Sequence, residues 1–134
     1  YTILSEDTMF DIFIDTHFAG GHHLRDYPGD CETPHGHNWK VRVTVRATEL
    51  DHLGMGIDFK VVKDQVKKTL KKIDHKNLNE LPMFEKVNPS SENIAIFIFN
   101  DLQDALYSER YKMYSVTVKE TDFQGLTYYG DNEK

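Results

Sequence analysis

The stretch Asn38–Leu50, NWKVRVTVRATEL, decides the architecture. Trp39, Val41, Val43, Val45 and Ala47 alternate with Lys40, Arg42, Thr44 and Arg46. Successive side chains of a strand point to opposite faces, so the pattern predicts a strand with one buried and one solvated side, as antiparallel sheets have. Upstream, Met9–Phe18 (MFDIFIDTHF) gathers Phe10, Ile12 and Ile14 on one side and reads as a second strand. Gly20-Gly21 interrupts it, which suggests a bulge or a close backbone approach. Residues 25–36, with Pro28-Gly29, Pro34 and Gly36, read as a loop. Downstream the period changes. Phe59, Val62, Val66, Leu70 and Ile73 recur every three or four residues, a helix face, with Lys67, Lys68, Lys71 and Lys72 toward solvent and Asp58 placed to cap. A second helix begins at Ser90 or Ser91, has Glu92 in its first turn, and carries Ile94, Phe97, Ile98, Leu102 and Leu106. Tyr111–Glu120 and Phe123–Tyr129 read as two final strands. The order predicts a single α+β domain over residues 1–134: a four-stranded antiparallel sheet with two helices packed on one face.

Composition narrows the function classes. At 39% hydrophobic and 12% aromatic the 134 residues can build a core. The longest apolar run, Ile94–Phe99, falls far short of the roughly 18 residues of a membrane span. Sixteen basic against twenty-two acidic side chains give −6 with no block of like charge, which disfavours nucleic acid or an anionic membrane as partner. One cysteine excludes an intrachain disulfide, and the opening residues lack a basic n-region and an apolar h-region. Together these lead us to expect a cytoplasmic protein. Seven histidines is a high count for this length, and they carry the chemistry.

His35-Gly-His37 opens the long strand, and residues two apart in a strand share a face, so both imidazoles can reach one ion. A third ligand is available from His17, His22 or His23. Three histidines with an open fourth position is the arrangement of catalytic zinc; the bland alternative is a polar turn among surface and core histidines. Cys31 lies four residues before His35, where its thiolate would be stabilised and could act as a base, or where it is a small buried hydrophobe. Asp74-His75 follows the first helix and reads either as a carboxylate–imidazole relay or as charge at a helix C-terminus. Glu120, at a strand end, can accept two hydrogen bonds from a guanidine-like ring edge, or is a solvated acid before a turn.

Six segments, in order along nearly the whole chain, resemble the 6-pyruvoyl-tetrahydropterin synthase family, and within it the bacterial 6-carboxy-tetrahydropterin synthases of queuosine biosynthesis. Phe18-Ala-Gly-Gly-His22-His-Leu24 is similar to F-x-A-A-H-x-L, and Cys31-Glu-Thr-Pro-His35-Gly-His37 to C-x3-H-G-H. Gly54-Met-Gly-Ile-Asp58-Phe resembles G-M-V-x-D-F, and Ile73-Asp74-His75-Lys-Asn-Leu-Asn79 resembles L-D-H-x-x-L-N. Pro89-Ser-Ser-Glu-Asn93 resembles P-T-S-E-N, and Val118-Lys-Glu120-Thr121 resembles the strand end that carries the pterin-anchoring glutamate. The resemblance implies one Zn²⁺ per subunit held by His22, His35 and His37, and a catalytic Cys31 working with Asp74 and His75. It implies Glu120 as the pterin anchor, assisted by Ser90 and Ser91.

The implied substrate is 7,8-dihydroneopterin triphosphate, converted to 6-carboxy-5,6,7,8-tetrahydropterin with loss of acetaldehyde and triphosphate. Arg25, Lys40 and Arg42 are candidates to gather around the triphosphate. The implied fold is the tunnelling fold, with trimers closing into a β-barrel and two trimers forming a homohexamer. Gly20-Gly21 replaces the family's usual Ala-Ala and Gly56 a common Val. Glu32 also completes E-x-x-H-G-H, the pattern of a folate-pathway branch that releases 6-hydroxymethyl-7,8-dihydropterin. That branch, a bifunctional lyase, a 6-pyruvoyl-tetrahydropterin synthase, and a zinc- or pterin-binding module without turnover are the alternatives.

Overall fold

The computed structural model describes residue 5 and residues 7–26 and 35–132, apart from the side chain of His35. Its elements are β1 (Phe10–His22), β2 (His35–Ala47), α1 (Phe59–Lys71), β3 (Lys76–Asn77), α2 (Ser91–Leu102), β4 (Tyr111–Thr121) and β5 (Gln124–Tyr128). Two short 3₁₀ turns, Leu78–Glu80 and Pro82–Phe84, join β3 to α2. The sheet has five strands in the order β3-β1-β2-β4-β5. It is mixed, because β3 runs parallel to β1 while the other pairs are antiparallel. The four-stranded antiparallel expectation is corrected here. Two residues are too few to carry any hydrophobic period, so β3 left no trace in the pattern.

β1 and β2 pair from Phe10↔Ala47 to His22↔His35 without a slip. β1 therefore runs four residues beyond Phe18, and the glycine pair lies in regular register, Gly20 opposite His37 and Gly21 opposite Gly36. There is no bulge at this point. The close approach is real: a Cβ on Gly20 would meet the Phe18 ring at 3.3 Å and the Leu78 side chain at 3.4 Å.

The bulge lies in β4. Val45 pairs with Met113 and Thr44 with Ser115, leaving Tyr114 as an extra residue. Met113 faces the core before it, and Val116 and Val118 face the core after it. Tyr114 turns to the other side of the sheet, where the Arg46 guanidinium lies 3.5 Å from its ring centroid.

Both helices cover the inner face, with Val62, Val66 and Leu70 of α1 and Ile94, Ile98 and Leu102 of α2 in one core with Trp39, Val41, Val43 and Val45. Asp58 caps α1 by accepting from Lys60 N (2.8 Å), and Ser90 caps α2 by accepting from Asn93 N (3.2 Å). Phe59, expected on the buried face, is exposed at the first position of α1, and Leu106 is buried beyond the end of α2. No helix among the described residues is long and apolar enough to cross a membrane.

Gly56 explains its own departure from the family pattern. A Cβ there would stand 2.6 Å from the Ala47 Cβ and 2.9 Å from Ile12 Cδ1. Gly56→Val is expected to destabilise by about 1–3 kcal/mol through overpacking. Urea unfolding reads this as a lower midpoint at unchanged slope.

Candidate metal centre

Three strands deliver three polar side chains to one end of the inner sheet face. His22 ends β1, His37 is the third residue of β2, and Glu120 is the penultimate residue of β4. Ile14 and Phe18 of β1 and Trp39 and Val41 of β2 face the core, and alternation puts His22 and His37 on that same side. Glu120 joins them because the Tyr114 bulge shifts the alternation of β4 by one. Glu120 Oε1 lies 3.3 Å from His22 Nε2 and 3.0 Å from His37 Nε2. Ligand atoms from all three residues lie within 4.8 Å of one another. Trp39 forms the floor: it is fully buried and meets the His22 and His37 rings edge-on, at centroid distances of 4.9 Å and 5.1 Å.

The hydrogen bonding of His22 tests whether a cation fits. Its Nδ1 lies 2.7 Å from the Pro89 carbonyl oxygen, and a carbonyl only accepts, so Nδ1 carries the hydrogen. The neutral ring then presents a bare Nε2 lone pair toward the Glu120 carboxylate, 3.3 Å away. Two electron-rich atoms at that distance call for a proton or a metal ion between them. Imidazole nitrogens with a carboxylate oxygen are a donor set that suits zinc. Of the three upstream candidates only His22 turns into this site. His17 lies on the exposed outer face, and His23 is not among the converging ligands; its Nδ1 is buried and lacks a hydrogen-bond partner among the described residues. His35 is the cross-strand partner of His22 by register; its side chain lies outside the described residues.

A cleft of about 650 Å³ opens beside the imidazoles, lined by His22, His37, Asn38 and, from the far side, His75. That is within the usual range for small-molecule sites. Asp74 and His75 do face one another, with Oδ1 and Nδ1 2.9 Å apart. His75 takes a left-handed backbone (φ 58°), uncommon for a residue with a side chain. Asp74 Oδ1 also accepts from Ala19 N (2.9 Å).

A family model described as 6-pyruvoyl tetrahydropterin synthase matches residues 11–131. The chain belongs to this family. It is 36% identical over 107 residues to the human 6-pyruvoyl tetrahydrobiopterin synthase, covering 77% of this chain and 72% of that one. It is 28% identical over 122 residues to the 6-carboxy-5,6,7,8-tetrahydropterin synthase of Rickettsia conorii, covering 78% and 88%. The structure of Caenorhabditis elegans 6-pyruvoyl tetrahydropterin synthase superimposes with a TM-score of 0.84 at 27% identity, covering 96% of this chain and all of that one.

Within this 6-pyruvoyl tetrahydropterin synthase fold the remaining candidates fall in different places. Cys31 and Glu32 lie outside the described residues. Ser90 caps α2, and Ser91 is its first residue. Arg42 is engaged with Asp15 (2.7 and 3.0 Å), Lys40 with Asp122, and the Arg25 guanidinium with the Asn79 and Val87 carbonyls. Sequence reasoning passed over Trp39 as a site residue, although its place two residues after His37 on the same strand face signals it. Pro89 opens a segment the resemblance covers, but its part here is a backbone carbonyl, whose contact with His22 no side chain announces.

Asp74 supplies a prediction in pH. The Ala19 amide above all holds its carboxyl below the ordinary value of 3.8; burial opposes this, and the His75 ring adds to the lowering. A lowered carboxylate contributes stability above 3.8 and loses it as pH falls through the folded value. Asp74→Asn keeps an acceptor for Ala19 N and removes the charge. The stability difference between wild type and this variant is therefore expected to be constant near neutrality and to close as pH falls below 3.8, read by thermal unfolding against pH.

Proposed function

We propose that the protein is a zinc-dependent lyase of the pterin pathway, converting 7,8-dihydroneopterin triphosphate to 6-carboxy-5,6,7,8-tetrahydropterin with release of acetaldehyde and triphosphate. The observation that carries this reading is the convergence of His22, His37 and Glu120 beside an open cleft, in a family with curated members of that activity. His22 and His37, with His35 as the third imidazole, would hold one zinc per subunit. Bound there, zinc supplies Lewis-acid chemistry, lowering the pKa of oxygens it polarises. Glu120 accepts hydrogen bonds from the amino-pyrimidinone edge of the pterin and orients the ring, with Ser90 and Ser91 assisting. Cys31 as thiolate takes and returns protons on the substrate side chain. Asp74 holds the His75 ring by its Nδ1, so that His75 relays those protons to solvent.

The proposed assembly is a homohexamer of two trimers, each trimer closing its sheets into a barrel. Closure would bury the exposed edges of β5 and of β1, of which β3 pairs only Gly20 and Gly21.

Anaerobic incubation of zinc-loaded protein with dihydroneopterin triphosphate, with products resolved by mass spectrometry, tests this. Carboxytetrahydropterin with acetaldehyde is expected. Hydroxymethyldihydropterin would move the protein to the folate branch and to Glu32, and a pyruvoyl product to the 6-pyruvoyl synthases. No turnover by metal-loaded protein would refute the enzyme. Glu120→Ala is expected to raise KM about 10-fold or more with a smaller change in kcat. Loss of zinc from that variant would instead make the carboxylate a metal ligand.

A further inference from the structure

His22 is the last residue of β1, a place where strands fray. Past it the chain parts from β2, yet the opposite edge stays hydrogen-bonded through Arg25. At Ala19 the amide donates to Asp74 Oδ1 and the carbonyl accepts from His75 N. Gly20 and Gly21 pair with Lys76 and Asn77 of β3. At His23 the amide donates to Asn79 Oδ1 (2.9 Å) and the carbonyl accepts from Asn79 Nδ2 (3.1 Å). At Arg25 the same two bonds go to Asn88, at 2.8 and 3.1 Å. Residues two apart in an extended chain present the same edge, so the two carboxamides stand where peptide groups of a longer β3 would stand. A carboxamide carries the N–H and C=O of a peptide unit in one plane and can replace it bond for bond.

Both asparagines are themselves anchored. The Asn88 carbonyl accepts from Asn93 Nδ2 (2.8 Å) in the first turn of α2, and Asn79 N donates to Asn77 Oδ1 (3.2 Å). The Arg25 guanidinium closes the clasp on the Asn79 and Val87 carbonyls. Asn88 also precedes Pro89, whose carbonyl takes the Nδ1 hydrogen of His22. One clasp thus holds the backbone after His22 and the group that orients its ring.

We propose that Asn79 and Asn88 are positioning residues of the metal centre, side-chain amides that stand in for a β-strand and hold His22 with Nε2 directed at the ion. This rests on the metal reading above and not on which pterin reaction follows.

The test is zinc affinity by competition with a chromophoric chelator, together with the visible spectrum of the cobalt-substituted protein, both without substrate. Asn79→Ala and Asn88→Ala are each expected to weaken zinc binding about 10-fold and the double variant about 100-fold, the range seen when outer partners of a metal ligand are lost. Their cobalt bands should shift as the ligand geometry relaxes. Asn88→Asp keeps the acceptor for Arg25 N at the same size and serves if the alanine variant fails to fold; it should weaken zinc several-fold. Thr69→Val, which removes the bond from Thr69 Oγ1 to Asp101 Oδ2 (2.8 Å) between the helices, controls for general destabilisation and should leave zinc affinity unchanged.

Asparagine variants with wild-type zinc affinity and cobalt spectrum, beside a His37→Ala variant that binds none, would overturn the clasp and leave the metal centre standing. Equal weakening by Thr69→Val would also overturn it. A wild-type protein that takes up no zinc removes the metal reading and the clasp with it.

Discussion

In the zinc lyase proposed above, replacing His37 with alanine is expected to empty the metal centre and abolish turnover. His37 supplies one of the two imidazole nitrogens that converge on Glu120, and its removal leaves His22 as the one proposed imidazole ligand whose side chain is described. Loss of an outer partner alone costs 10–100-fold in metal affinity, so loss of a ligand should cost more, roughly 100-fold at least. Zinc content after dialysis against a weak chelator should fall from one per chain to a small fraction. Turnover should vanish with it, while the fold persists because His37 is partly exposed at the rim of the core. A His37→Ala protein that keeps stoichiometric zinc would show that the ion sits elsewhere.

Trp39→Ala should produce the largest loss of stability. Trp39 is fully buried, stacks on Phe18 at 5.9 Å and 8°, and donates from Nε1 to the Gly20 carbonyl (3.2 Å). Truncating a buried aromatic of this size costs about 3–5 kcal/mol. That is a large share of the roughly 5–15 kcal/mol that holds a domain together. The Gly20 carbonyl also loses its donor. Both imidazoles lose the surface they lean on, so weaker zinc binding should accompany the loss of stability. Trp39→Phe restores most of the apolar volume and is expected to recover most of the stability without the Nε1 hydrogen bond, worth about 1 kcal/mol. Denaturant unfolding of the metal-free proteins measures both. Equal midpoints for wild type and Trp39→Ala would mean that the indole does not organise this end of the core.

The elements written in long periods were legible. The alternation from Trp39 to Ala47 announces both faces of the sheet, although β2 begins at His35, inside the expected loop, and ends at Ala47, short of Leu50; Asp58 and Ser90 announce the caps of α1 and α2. What escaped was short or carried by the backbone. β3 is two residues long, and the continuation of β1 past Phe18 is hidden because glycines carry no side chain to alternate. In Tyr111–Thr121 the four successive positions Met113–Val116 are all buried, and Met113, Tyr114 and Val116 do not alternate with charged residues, so nothing in the string says where the alternation slips. The candidate site was legible in kind, with histidines and a carboxylate named. Choosing His22 over His17 and His23 from the residues alone needed the pairing register, which no local pattern contains. Nor did any pattern foretell that Asn79 and Asn88 would complete a strand edge with side chains, since asparagines between helices read as loop residues.

The extra residue at Tyr114 makes the sign of the site a matter of counting. From the bulge to the end of β4 each position alternates, with Lys119 facing out and Glu120 facing the imidazoles. Deleting one residue there, or inserting one, would carry Lys119 to the inner face and set an ammonium where a carboxylate now stands. The local field would reverse, from one that gathers a cation to one that expels it. An odd change of length in this strand thus reverses the charge that faces the imidazoles, and Tyr114, buried under Arg46, marks the place of the extra residue.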